Sequence, residues 1–226
     1  MLTIRPARCS SKGWSTDSGD RERTVARAAG EALLALARRS DGVAPLLRAG
    51  LRIAQPGAAT GDPVARRAGR ARRIRAALLL ARLEPPGPGL LPALVDGLGA
   101  RDGDVRWAAA RVLVDMGRLH PEIVGVLIGL VRSAGDPSAR RMASFAVREL
   151  APDLPQAAAA LLSATEDEDR DVRHAAVTAL AGLLDPPATV VARLAELCGD
   201  PDETLARLAS LAHARIEAAG GTEAER

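Results

Sequence analysis

Three arginines recur at nearly equal intervals, and they are the first candidates for chemistry in this sequence. Arg106, Arg140 and Arg173 lie 34 and 33 residues apart, and each follows a short turn that contains aspartate. A row of guanidinium groups predicts either phosphate clamps or ion pairs with those aspartates. The regular spacing favours the second interpretation, a structural ladder between repeated units. Its predicted members are Asp102, Arg106, Asp136, Arg140, Asp169 and Arg173.

The position directly after each of these arginines carries a side chain suited to binding. These side chains are Trp107, Arg141 and His174, with Arg207 in the same place in a degenerate copy. Helical geometry directs them to one stripe on successive helices, and Arg111 shares it because it follows Trp107 by four residues. An exposed tryptophan is a common anchor for a partner protein, so we predict a binding stripe of these five residues. The alternative is a tryptophan folded onto its own helix, covering alanines of a neighbouring one.

A second group of arginines is a candidate anion-binding site. Arg66, Arg70 and Arg73 fall within about 60° around one helix, at about 100° per residue. Such a surface attracts phosphate-bearing partners, with an affinity that falls steeply as salt rises. The alternative is a solvated helix face with no ligand.

The remaining polar clusters do not predict catalysis or metal binding. The acidic run at 166–171 lacks the glycine that a calcium loop needs at its bend. His120, His174 and His213 are scattered, without the spacing of a metal site. No phosphate-binding glycine loop or nucleophile elbow is present. We therefore expect no catalytic residue, no metal and no cofactor.

Composition indicates which elements position these residues. Hydrophobic residues make up 47% of the 226 and aromatic residues only 1%, a usage that favours helices over strands. The formal net charge of +3 permits an anionic partner without requiring one. The sequence has two cysteines, no apolar run of membrane-spanning length and no secretory signal, so we expect a cytoplasmic protein without a membrane partner.

Internal repeats determine the predicted architecture. Aspartates of successive turns are spaced 40, 34, 33 and 31 residues apart, at Asp62, Asp102, Asp136, Asp169 and Asp200. Three of them precede a proline, which is typical of a helix N-cap followed by the first helical residue. Apolar residues at helical spacing lie between the turns, and one helix pair alone cannot bury such a face.

The pattern predicts one orphan helix near 21–39 followed by five helix pairs. The first helices are expected near 43–54, 90–98, 121–133, 153–164 and 187–198. The second helices are expected near 63–83, 104–117, 137–150, 170–184 and 202–218. Residues 20–218 are predicted to form a single domain between a disordered arm at 1–19 and a disordered tail at 219–226.

The phrase Asp-x-Asp-Val-Arg-x-Ala-Ala at 102–109 and 169–176 resembles the HEAT-repeat family and its bilin-lyase-like relatives. The resemblance covers about Asp62 to Ala218. It implies an all-α, right-handed α-α superhelix, an aspartate–arginine ladder and a concave surface lined by the arginine-bearing helices. The chain departs from the phrase at Ala206 and around 66–82, where we expect the ladder to be broken or capped.

The leading functional hypothesis is a non-enzymatic scaffold that binds a protein or peptide through its concave surface. The alternative is binding of nucleic acid or another anion through the arginine-rich helices. The architecture also resembles HEAT-like alkylpurine DNA glycosylases, for which Trp107, Asp115 and Arg148 are only loose counterparts, and bilin lyases, for which no cofactor-specific residue is present. The sequence does not indicate the oligomeric state.

Overall fold

The computed structural model describes residues 15–53 and 63–224, with side chains over 24–52 and 63–218. In these ranges the chain forms eleven α-helices, one 3-10 turn at Pro88–Leu90 and no strand. The helices are α1 (Ser15–Ala37), α2 (Val43–Ile53), α3 (Pro63–Leu80), α4 (Leu91–Leu98), α5 (Gly103–Leu119), α6 (Ile123–Ser133), α7 (Pro137–Leu150), α8 (Pro155–Ala164), α9 (Arg170–Leu180), α10 (Ala188–Leu197) and α11 (Glu203–Ala224).

Five helix pairs follow the orphan helix α1, as the repeat pattern predicts. Each pair packs an even-numbered helix against the odd-numbered helix that follows it. The odd-numbered helices α3, α5, α7, α9 and α11 also pack side by side in sequence order. The fold is therefore an all-α superhelix with two layers of helices, and the odd-numbered layer holds the predicted stripe.

The turn aspartates begin the odd-numbered helices by capping them. Asp102, Asp136 and Asp169 accept hydrogen bonds from backbone N–H groups two or three residues later, at 2.9, 2.8 and 3.1 Å. Each cap satisfies an amide that has no partner inside the helix. Prolines also precede two of the even-numbered helices, since α6 begins two residues after Pro121 and α8 three residues after Pro152.

A small residue recurs at one buried position of the odd-numbered helices. Alanine lies three positions after each ladder position and is buried every time, at Ala76, Ala109, Ala143, Ala176 and Ala209. In the second pair this alanine lets the two helices of the pair approach closely, because a Cβ added to Gly97 of α4 would lie 2.7 Å from the Cβ of Ala109. These contacts belong to one apolar core that continues from Ala77 to Ala212. No single pair has a closed core of its own.

Each ladder arginine hydrogen-bonds the turn before its own helix. The Nη1 atoms of Arg106, Arg140 and Arg173 donate to carbonyls six residues earlier, at Ala100, Ala134 and Asp167. The distances are 2.7, 2.8 and 2.9 Å. This repeated bond satisfies carbonyls after the preceding even-numbered helix and links them to the first turn of the next helix in the second, third and fourth pairs.

The carboxylates that pair with these arginines are not the predicted ones. Arg140 donates from Nε and Nη2 to both oxygens of Asp167, at 2.7 and 2.8 Å, and this pair joins the third helix pair to the fourth. The predicted ladder aspartates instead act as caps. Asp167 lies two residues before the cap at Asp169, so the interpretation of the repeated aspartate as an arginine partner is corrected.

The ladder also has a member in α3, where we had expected a break. Arg73 is 8% exposed and donates from Nη2 to Asp96 at 2.8 Å, which joins the first helix pair to the second. It precedes Arg106 by 33 residues and, like Arg106, is followed after three positions by a buried alanine. Arg73 is thus a ladder residue rather than one of three equivalent surface arginines.

Helical structure extends into both predicted terminal segments. α1 begins at Ser15, inside the arm predicted at 1–19, and residues 1–14 lie outside the described residues. α11 runs to Ala224, through most of the tail predicted at 219–226.

Replacing Asp167 with Asn is expected to lower the free energy of unfolding by about 2 kcal/mol, the loss of a charge-assisted hydrogen bond at a mostly buried arginine. Burial would raise the pKa of Asp167, but hydrogen bonds from Arg140 and the Asp169 N–H, with the charges of Arg140 and Arg173, hold that pKa below its ordinary value of 3.8. Urea unfolding at pH 7 measures the loss. The matched control is Asp115→Asn, whose pair with Arg118 is well exposed, so the change should stay within about 0.5 kcal/mol. Equal effects for the two variants would contradict the assigned role of Asp167.

Candidate partner-binding groove

An open groove of about 740 Å³ lies across α5, α7 and α9. Its walls combine aromatic, aliphatic and charged side chains from three successive repeats. The lining residues on which the site depends are Arg106, Trp107, Arg141, Phe145, Arg148, Asp171 and His174. The structure therefore brings Trp107, Arg141 and His174 together, three of the five residues predicted for the binding stripe.

Trp107 forms one wall of the groove and packs against an aromatic ring of the next repeat. Its side chain is 49% exposed, and its ring centroid lies 4.4 Å from that of Phe145, with the ring planes tilted by 43°. The guanidinium carbon of Arg148 lies 5.1 Å from the Phe145 centroid, within cation–π distance. The alternative of a tryptophan folded onto its own helix is thus replaced by a stack between helices.

Phe145 is a site residue that the sequence argument missed. It lies five positions after Arg140, whereas the predicted stripe followed the position directly after each ladder arginine. The chain has one phenylalanine and two tryptophans, so the rarity of aromatic residues is the signal that could have indicated this pair. Its contact with Trp107 depends on the offset between α5 and α7, which only the packed structure shows.

Two side chains of the groove, Arg141 and His174, bind carboxylates of the next helical region. Arg141 Nη1 lies 3.1 Å from Asp171 Oδ2, and His174 Nε2 lies 2.8 Å from Asp202 Oδ2. His174 and Asp202 are mostly buried, at 18% and 13% side-chain exposure. The imidazole edge is therefore engaged in the link between α9 and α11 and offers the groove mainly its ring surface.

Asp202 is the centre of that link. It accepts two hydrogen bonds from Arg170, at 2.8 and 3.0 Å, and two more from the N–H groups of Thr204 and Leu205. Hydrogen bonds from Arg170 and then from His174 hold the pKa of Asp202 well below its ordinary value of 3.8. The carboxylate is thereby kept ionised and ties the last two helix pairs together.

The other two stripe residues lie elsewhere on the surface. Arg111 lines a smaller hollow of about 180 Å³ with Asp115 and Glu149, on the far side of Phe145. Arg207 is exposed on α11 and lines neither hollow. The groove therefore holds part of the stripe, because Arg111 lies one turn further along α5 than Trp107 and Arg207 lies on the last helix.

The predicted anion site has only one arginine without a carboxylate contact. Arg70 Nε lies 3.5 Å from Asp96 Oδ1, and Arg73 donates to the other oxygen of the same carboxylate. Arg66 is exposed on the first turn of α3. One carboxylate shared between two arginines partly neutralises the set, and anion binding there remains an untested prediction.

The acidic run at 166–171 pairs with arginines of neighbouring repeats. Glu166 contacts Arg193 at 3.4 Å, while Asp167 and Asp171 contact Arg140 and Arg141. Over the side chains that the structure places, no group of three or more His, Cys, Asp or Glu residues is arranged to bind a metal ion. Among the described helices, none combines the length and hydropathy needed to cross a bilayer.

The architecture defines a repeat protein of stacked helix hairpins, and comparison with family models identifies the repeat. Residues 124–214 match the model described as HEAT repeats. The match spans α6 to the middle of α11 and contains the ladder residues Arg140 and Arg173. Residues 124–214 are therefore similar to HEAT repeats, as the phrase at 169–176 indicates.

Two solved structures share similarity with the chain. One is the complex of CpcE and CpcF of phycocyanin lyase from Nostoc sp. PCC7120, at 21% identity and a TM-score of 0.46, covering 76% of this chain and 99% of that one. The other is an engineered protein studied by the Northeast Structural Genomics Consortium, at 18% identity and a TM-score of 0.46, covering 91% of this chain and 94% of that one. Comparison with curated proteins finds no match.

Replacing Asp202 with Asn should make stability less dependent on acid. A carboxylate whose pKa is lowered by folding stabilises the fold fully above its unfolded pKa and loses that contribution as pH falls. The wild type should therefore lose the Asp202 contribution below about pH 4, so the difference in urea midpoint between wild type and D202N should shrink from pH 7 to pH 3. Asp153→Asn, at an exposed carboxylate in the turn after α7, is the control. A gap that stays constant over this range would show that Asp202 does not act through its charge.

Proposed function

We propose that this protein is a HEAT-repeat scaffold without enzymatic activity, which binds a partner protein through the groove across α5, α7 and α9. The observation that carries the proposal is Trp107, half exposed and stacked on Phe145 at the wall of the groove. Large aromatic side chains in partly enclosed positions dominate the energy of protein interfaces. We expect the partner to cover the remaining exposed face of the indole.

The surroundings of Trp107 suit a preformed binding surface. Below it, Ala109 and Ala110 are fully buried in the core, and Phe145 supports the ring from the next helix. An anchor already held in position loses little conformational freedom on association, so more of the contact energy appears as affinity.

The rim of the groove supplies polar groups that determine which partners fit. Arg141 with Asp171, and Arg148 with Glu149, form ion pairs that are partly open to solvent. Exposed pairs of this kind add little affinity, but they favour partners of complementary charge and disfavour others. This arrangement, with an aromatic centre and a charged rim, is typical of protein interfaces.

Replacing Trp107 with Ala should weaken partner binding by about 30-fold or more, which corresponds to the loss of about 2 kcal/mol for a central aromatic contact. Affinity capture on the immobilised full chain, followed by titration of each captured protein, measures the effect. Leu184→Ala is the matched control, since Leu184 is 75% exposed and lies outside both hollows. Partners that bind the two variants equally would place the interface elsewhere.

The two tryptophans allow the contact to be observed directly. Trp14→Phe leaves Trp107 as the sole tryptophan of the chain. A partner that covers the indole should shift its fluorescence emission to shorter wavelength, because the ring moves from partial solvent exposure to an apolar contact. Saturable binding without a change in Trp107 emission would contradict the proposed site.

A further inference from the structure

Arg106 is the ladder arginine that lines the groove, and no carboxylate completes its contacts. Its Nη1 donates to two backbone carbonyls of the preceding turn, and its Nε is buried without a hydrogen-bond partner. Arg140 and Arg73 each bind a carboxylate of the following repeat, although the Nε of Arg73 is also buried without a partner. Arg173 donates to backbone carbonyls, like Arg106, but it lies outside the groove. A desolvated guanidinium N–H without an acceptor is unfavourable, so this one is a candidate for an acceptor from outside the chain.

The ladder shows where the absent carboxylate would belong. The backbone carbonyl of Asp167 accepts a hydrogen bond from Arg173, and its carboxylate accepts one from Arg140. One repeat earlier, Ala134 is the residue whose carbonyl accepts the corresponding hydrogen bond, from Arg140. Ala134 therefore occupies the position from which a carboxylate would reach Arg106, and alanine has none.

Arg106 also lacks a carboxylate at the position that Asp96 occupies relative to Arg73. Asp96, which binds Arg73, lies four residues before Ala100. The corresponding residue four positions before Ala134 is Leu130. For Arg173 the same two positions hold Glu196 and Asp200, both acidic. Among the four ladder arginines, Arg106 alone faces two positions that lack a carboxylate.

Arg106, the ladder arginine without a carboxylate partner at either position, lines the groove. Arg106 lines it beside Trp107, whereas the other two lining arginines already have carboxylate partners, Asp171 for Arg141 and Glu149 for Arg148. Asp104 is exposed nearby and makes no ion pair with Arg106 within 4 Å over the described side chains. Three arginines against two aspartates leave the lining with a formal charge of +1, with His174 neutral.

We propose that the groove takes an acidic peptide segment of the partner, with a carboxylate on Arg106 and a neighbouring apolar side chain on Trp107 and Phe145. This proposal rests on the proposed function and specifies its partner chemistry. Because the Arg106 guanidinium is already partly removed from water, a carboxylate placed on its accessible side gains a charge-assisted hydrogen bond at a lower desolvation cost. Loss of the contact should reduce affinity about tenfold or more.

The test is selection of peptides from a displayed random 12-residue library on the immobilised full chain, with variants as parallel baits. Wild type should enrich peptides that carry Asp or Glu within a few residues of a large apolar side chain. Ala134→Asp should remove the acidic preference, because the new carboxylate pairs with Arg106 from within the chain. Ala134→Asn, of nearly the same shape and without charge, is the matched control and should keep the preference.

A stability measurement checks the geometry independently of any peptide. Ala134→Asp should melt at a higher temperature than Ala134→Asn, as expected if the introduced carboxylate completes the ladder. Arg106→Gln should lose the acidic preference, while Arg207→Gln, at an exposed arginine outside both hollows, should keep it. A synthetic peptide from the wild-type selection should bind Ala134→Asp about tenfold more weakly than Ala134→Asn in titration calorimetry.

The outcomes separate this inference from the proposed function. Peptides that depend on Trp107 but show no acidic preference, or keep it on Ala134→Asp, would overturn the role of Arg106 and leave the groove as a binding site. An acidic preference abolished by Arg207→Gln alone would also overturn it. If no peptide binds wild type better than Trp107→Ala, the proposed function fails and the inference fails with it.

Discussion

The hydrogen bond from Arg106, Arg140 and Arg173 to a carbonyl six residues earlier is the constraint on which the three central helix pairs depend. It fastens the turn between the two helices of a pair to the first turn of the second helix, while the aspartate cap satisfies the adjacent N–H groups. Together they fix the second, third and fourth pairs in the same way. These pairs stack with a regular offset, and the alanine three positions after each ladder position is buried every time.

That regular offset creates the groove. The residue after a ladder arginine faces the residue five positions after the next one, and in the second and third pairs these are Trp107 and Phe145. In the next step the corresponding residues are Arg141 and Thr178, which also line the groove. An aromatic pair and a polar pair therefore occupy equivalent positions in successive repeats and lie next to each other along the groove.

Much of the fold could be predicted from the sequence, because its signals are local. Helix caps such as Asp136-Pro137 and the apolar faces depend on neighbours within four residues, and the helix pairs appear where they were expected. The register of α3 was harder. Its arginines at 66, 67, 70, 72, 73 and 75 offer several alignments, and only burial distinguishes Arg73 from the others.

The candidate site was predicted in part, since it requires knowledge of contacts between repeats. Trp107, Arg141 and His174 meet as the stripe predicts, but Arg111, one helical turn further along α5, and Arg207, on the last helix, lie outside the groove. The choice of Asp167 over Asp169 as the partner of Arg140 depends on the path of the turn after α8, two residues of difference that spacing alone does not resolve.

The carboxylate missing at position 134 has a mechanical consequence for the whole superhelix. Side-chain hydrogen bonds or ion pairs cross from the first pair to the second through Asp96, from the third to the fourth through Asp167, and from the fourth to the fifth through Asp202. Over the described side chains none crosses from the second pair to the third, where the Trp107–Phe145 stack and apolar packing form the joint. The superhelix thus consists of two blocks, each joined internally by polar side-chain contacts between helix pairs. Between the blocks, the described side chains make apolar and aromatic contacts only. A ligand that spans the groove would link the second helix pair to the third and stiffen the superhelix along its length.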